Sequence, residues 1–71
     1  MDEIIINEIA KIDKSLLTLI DDEAVEIDDE TIKKIQANIL IKYGKNKLYE
    51  FCFNCELIPI SDAELIRFYC H

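Results

Sequence analysis

Residues 47–58 read Lys47-Leu48-Tyr49-Glu50-Phe51-Cys52-Phe53-Asn54-Cys55-Glu56-Leu57-Ile58, and their period decides whether the fold contains a strand. Tyr49, Phe51, Phe53, Cys55 and Leu57 fall on one side of an extended chain, with Leu48, Glu50, Cys52, Asn54, Glu56 and Ile58 on the other. Aromatic and branched side chains favour such a strand, or a hairpin whose bend begins at Asn54. Pro59 stops any ladder it would otherwise join.

Upstream of this stretch the period becomes helical. Ile32, Ile35, Ile39, Leu40 and Tyr43 form the apolar positions of one helix, while Lys33, Lys34, Gln36, Asn38 and Lys42 fill much of the rest. Asp28 and Asp29 are two candidate caps for its start, and early acids with later lysines suit the helix dipole. Gly44, the only glycine, follows the last periodic residue and is expected at positive φ. Nearer the start, Ile5, Ile9, Ile12, Leu16 and Leu19 recur with 4-3-4-3 spacing, which predicts a helix from Glu3 to Ile20 with Asp2 near its amino end. Ile6, Leu17 and Ile20 widen that stripe, and a short strand at Ile4-Ile5-Ile6 is the competing reading. Asp21-Asp22-Glu23 marks a connection, and Ala24–Ile27 an extended link or very short strand.

Downstream, Ser61-Asp62-Ala63-Glu64 has the pattern of a capping box, with Ile60 and Leu65 placed as a hydrophobic staple. The helix it opens would bury some of Leu65, Ile66, Phe68 and Tyr69 before Cys70-His71. The expectation is one domain over 1–71, a small α+β or mostly α fold. It would hold two amphipathic helices packed as an antiparallel hairpin, a short extended or hairpin region, and a C-terminal helix. A chain of this length buries only about 60% of its extended surface. The two stripes carry more aliphatic surface than two helices cover, so a symmetric dimer is expected.

The chain has 71 residues, is 51% apolar and holds one glycine and one proline, a composition unlike that of disordered segments. Its net charge is −7, unevenly spread. Residues 1–30 hold eleven acids against Lys11 and Lys14, a net of −9, and residues 31–71 a net of +2. Direct binding to a phosphate backbone would oppose the first field, although Lys33, Lys34, Lys42, Lys45 and Lys47 form one small basic cluster near Tyr43 and Tyr49. A basic protein surface, or one that normally holds nucleic acid, would be attracted. No signal peptide or membrane-length apolar run is visible, and three cysteines without a leader fit a reducing cytoplasm. Richness in Ile, Lys and Asn fits an AT-rich genome, such as that of a low-GC bacterium or a virus.

Cys52 and Cys55 form a C-x2-C pair, and fourteen residues separate its second cysteine from Cys70-His71. Three thiols and one imidazole match the ligand count of a structural zinc site. That arrangement requires a bend around Phe53-Asn54, because in a straight strand the pair points to opposite faces. The alternative is that the cysteines are small buried hydrophobes, and a redox pair is a third reading. The run Cys52-Phe53-Asn54-Cys55-Glu56-Leu57-Ile58-Pro59, with Arg67-Phe68-Tyr69-Cys70 after it, resembles the zinc-finger half of the DksA/TraR family. The matching features are the cysteine pair, the Ile-Pro after it and the third cysteine. Glu56 stands where the family has glycine, the gap is shorter, and His71 replaces a fourth cysteine. The resemblance implies one structural zinc and RNA polymerase as partner, contacted through acids such as Asp21, Asp22 and Glu23.

No catalytic residues are assigned: His71 is the sole histidine, no nucleophile has a base at a motif spacing, and no glycine-rich turn exists. The chain is therefore expected not to be an enzyme. The leading expectation is a small acidic regulator or inhibitor, viral or plasmid-encoded, that binds a host protein through Asp21, Asp22, Glu23, Glu26, Asp28, Asp29 and Glu30. The alternatives are a zinc-stabilised regulator of RNA polymerase, using Cys52, Cys55, Cys70 and His71, and a structural subunit of a larger assembly.

Overall fold

The computed structural model describes residues 3–20 and 27–69. It is helical throughout: α1 spans Glu3–Ile12, a 3-10 helix η1 Lys14–Leu19, α2 Asp29–Tyr43, α3 Lys45–Asn54 and α4 Asp62–Tyr69. Among the described residues there is no strand, so the mostly α alternative holds. The extended or hairpin region is corrected. Asp2, the acids 21–23 and residues 24–26 lie outside the described part, as do Cys70 and His71.

The stretch 47–58 is a helix because a second period is hidden in it. Leu48, Phe51 and Cys52 stand at i, i+3 and i+4, and all three are buried. Tyr49 and Phe53, also one helical turn apart, point outward. Burial of the first set outweighs the strand preference of the aromatics, which is mostly a preference for packing surfaces. Asn54 is the last helical residue, and the bend comes after it.

Helix α2 is the hub, packing against α3, α4 and η1. That explains why Ile35, Gln36, Ala37 and Ile39 are all buried: three neighbours cover more of its circumference than one stripe. Asp28 caps it, accepting from the Thr31 amide at 2.9 Å. At the other end, the Gly44 amide donates to Ile39 and Leu40 carbonyls at 3.2 and 3.0 Å. With φ 95° and ψ 177°, Gly44 occupies a region essentially reserved for glycine and is the whole connection between α2 and α3.

The stripe from Ile5 to Leu19 is buried at Ile5, Ile9 and Leu16, yet it is not one helix. Asp13, extended at φ −163°, breaks it and caps η1 by accepting from the Ser15 amide at 3.0 Å. Nor do the first two long helices form a hairpin: α1 lies against η1 and α3. The expected box at Ser61 is half made. Its Oγ accepts from the Glu64 amide at 3.4 Å, while the Glu64 carboxylate turns to Lys33 at 3.5 Å. Leu65 is buried and Ile60 packs on the same core, as the staple predicts.

Candidate functional site

The cysteine pair is the first place to look for chemistry. Cys52 sits in the last turn of α3 and is buried in the core, and Cys55 is the partly buried C-cap residue. Three residues apart on a helix, both turn towards one side, against the core. Burial pushes both thiols up to about 11, with Glu8 adding to the effect at Cys55. Among the described residues, no group of three or more His, Cys, Asp or Glu side chains is placed to hold a metal ion. The zinc site is therefore corrected, and the resemblance to DksA/TraR proteins falls with it. For Cys52 and Cys55 the packing reading describes what is seen; Cys70 and His71 lie outside the described residues.

The turn that ends α3 has more to offer. The Leu57 amide donates to the Cys52 carbonyl at 2.8 Å and the Glu56 amide to the Phe53 carbonyl at 3.3 Å. This paired pattern is the Schellman cap, and it requires a left-handed residue at its centre. Glycine is usual there; this chain has Glu56 at φ 56°, the only non-glycine at positive φ among the described residues. The segment beyond is pinned from inside by Gln36, which is 1% exposed. Its Oε1 accepts from the Ile60 amide at 2.9 Å, and its Nε2 donates to the Ile58 carbonyl at 3.5 Å. These two backbone groups stand on either side of Pro59. Just before them the Ile58 side chain is 87% exposed, and Phe53 is 84% exposed. Sequence reasoning placed Gln36 outside the apolar positions of its helix and missed this clamp; nothing in a lone glutamine on a helix signals it.

No family model, curated protein or solved structure matches the chain.

Charge is distributed in a way the sequence did not show. Lys33 pairs with Glu64 at 3.5 Å, Lys42 with Asp13 at 3.4 Å, Lys45 with Asp62 at 2.6 Å and Lys47 with Glu50 at 3.7 Å. Four of the five lysines of the basic cluster therefore each face a carboxylate. Asp13 is the most engaged acid, accepting from Ser15 Oγ at 2.6 Å and Tyr43 Oη at 2.9 Å. The Ser15 hydroxyl first, then Tyr43, the Ser15 amide and Lys42, hold it down to about 2. It ties the break after α1 to the end of α2.

Of the expected partner-binding acids, Asp28, Asp29 and Glu30 are described, and all three are exposed at the start of α2. Hydrogen bonds from Thr31 hold the Asp28 carboxyl below its usual range, so it is a firm anion. Asp29 and Glu30 stand in the first helical turn, where the dipole favours them. Asp21, Asp22, Glu23 and Glu26 lie outside the described residues. Among the described residues, no helix is long and apolar enough to cross a membrane.

Proposed function

We propose that this chain is a small acidic protein-binding regulator or inhibitor that acts without catalysis, on a partner whose surface is basic. One observation carries the reading. Lys33, Lys42, Lys45 and Lys47, four of the six cations of the second half, are held in internal ion pairs, whereas Asp28, Asp29 and Glu30 stand exposed at the start of α2 with no ion pair among the described residues and Lys34 as the one cation acting on Asp28. The outward field is therefore negative at the start of α2, and the run of acids continues in sequence through 21–26. A protein groove that ordinarily holds DNA or RNA has the complementary sign. The same pairing argues against direct nucleic-acid binding, since a phosphate backbone would have to compete for lysines already held.

Fluorescence anisotropy with two labelled probes, an oligo-arginine peptide and a short DNA duplex, tests this. The peptide should bind, with affinity falling as salt rises, and the duplex should not. The variant Asp28→Asn, Asp29→Asn, Glu30→Gln keeps a good cap at 28 and removes three charges. It should stay folded by circular dichroism, melt slightly lower through loss of the dipole contacts, and bind the peptide more weakly. Duplex binding, or a peptide affinity indifferent to these three positions, would overturn the reading.

A further inference from the structure

The turn that closes α3 breaks two local rules at once. Glu56 holds a left-handed conformation in which side chains other than glycine are disfavoured. It also sets a carboxylate just beyond the C-terminus of α3, where the helix dipole opposes negative charge. No hydrogen bond or ion pair within the described structure compensates: Glu56 is exposed, its backbone amide alone being engaged. From the same turn emerge Phe53 and Ile58, the two most exposed large apolar side chains among the described residues. Scattered half-exposed apolar side chains are ordinary on small proteins, and Ile4, Ile41 and Ile66 are of that kind here. Two nearly bare ones on either side of an unpaired, unfavourably placed acid are not explained by folding. Natural sequences break local rules mainly where function requires it.

We propose that Phe53, Glu56 and Ile58 form a docking knob for a partner protein that offers an apolar pocket with an arginine or lysine at its rim. Tyr49, half-exposed and one turn before Phe53 on α3, extends the apolar side. The knob is preorganised: the Schellman hydrogen bonds fix the backbone before Ile58, Gln36 holds the Ile58 carbonyl and the Ile60 amide after it, and Pro59 between them restrains the chain. Little conformational freedom is then lost on binding. Charge selects the occupant. A second copy docked by the same surface about a two-fold axis would bring Glu56 towards Glu56, between chains that each carry −7. A cation-rimmed pocket faces no such repulsion. The inference rests on the protein-binding reading and adds to it an apolar contact point separate from Asp28, Asp29 and Glu30.

A displayed library of random twelve-residue peptides, selected against the intact protein, tests both. Enriched peptides should combine apolar residues with Arg or Lys. A labelled peptide from that set should lose about tenfold or more in affinity to Phe53→Ser or Ile58→Ser, and about threefold to Glu56→Gln. Glu56→Gly should melt at higher temperature than the parent chain and yet bind more weakly, a pairing that a purely structural glutamate would not give. Circular dichroism of each variant confirms that it is folded. The knob is overturned if no peptide is enriched, if enriched peptides are acidic, or if their binding survives these substitutions. It is likewise overturned if sedimentation shows a dimer that Phe53→Ser dissolves. Binding that ignores 53, 56 and 58 but is lost on neutralising 28–30 sinks the knob alone and leaves the acidic module standing.

Discussion

Gln36 is the only buried polar side chain among the described residues, and it fastens the segment after α3 to the middle of α2. Gln36→Leu is nearly equal in volume, so it opens little space. It removes the acceptor for the Ile60 amide at 2.9 Å and the donor to the Ile58 carbonyl at 3.5 Å, the second already at the limit of a hydrogen bond. An amide left without a partner costs about 1–3 kcal/mol, and the added apolar burial offsets part of that. A net loss of about 1–2 kcal/mol lowers the melting temperature of a domain this small by about 5–15 °C. Gln36→Glu sharpens the test. It keeps one acceptor but turns the other oxygen towards the Ile58 carbonyl, and its charge is buried. Burial raises the folded pKa of such a carboxyl above its unfolded value of about 4.3. The penalty is therefore absent below that pH, grows as pH rises towards the folded value, and is constant above it. Against a total stability of about 4–10 kcal/mol, the variant should be badly destabilised at pH 7 and approach the parent chain at pH 4. Thermal denaturation by circular dichroism, with both chains measured at each pH, reads these differences. If Gln36→Leu melts with the parent and Gln36→Glu shows no extra pH dependence, residue 36 does not clamp the segment.

Gly44→Ala should destabilise by about 1–3 kcal/mol through backbone strain alone, since a Cβ there meets nothing within 4 Å; an unchanged urea midpoint would exclude the positive φ. Asp13, held at about 2, contributes stability that is present above pH 3.8 and is lost as pH falls towards 2. The melting gap between the parent and Asp13→Asn should therefore be open at pH 6 and close over that window, and a constant gap would refute the latch. With thiols raised from 9.0 to about 11, alkylation of Cys52 and Cys55 by iodoacetamide at pH 8 should run about 100-fold slower than in urea. Peptide mapping reads this, and a chelator should leave the melting temperature unchanged; fast labelling or chelator sensitivity would reopen the metal question.

Where sequence and structure agree, the signal was local. Ser61 with Glu64, Asp28 with Thr31, and Gly44 after a periodic run act over three or four residues, and each terminus formed where its chemistry placed it. Where they part, a contact distant in sequence decided. Residues 47–58 satisfy the strand and helix periods together, and the helix is selected by burial of Leu48, Phe51 and Cys52 on a segment packed against α1 and α2. Asp13 could not be told from any surface acid until Lys42 and Tyr43, about thirty residues on, came to meet it. Among the expected site residues, the cysteines misled because pairs three apart serve a knuckle or a buried helix face equally well. The acids at 28–30 were legible as charge. That the lysines nearby in sequence would be spent on other carboxylates was not.

Helix α4 differs from the other described elements in packing closely on one helix alone, α2, with α3 reaching it through the Lys45 ion pair. At eight residues it is too short to persist alone in water. Its attachment is Leu65 in the core, with Lys33 and Lys45 reaching Glu64 and Asp62 from outside. Amide protons of α4 should therefore exchange with deuterium ahead of those of α2 and α3, in one concerted opening that leaves the rest folded. High salt, by loosening the two ion pairs, should hasten that opening selectively. The molecule thus has a built-in order of coming apart, with its last described helix leaving before α2 and α3.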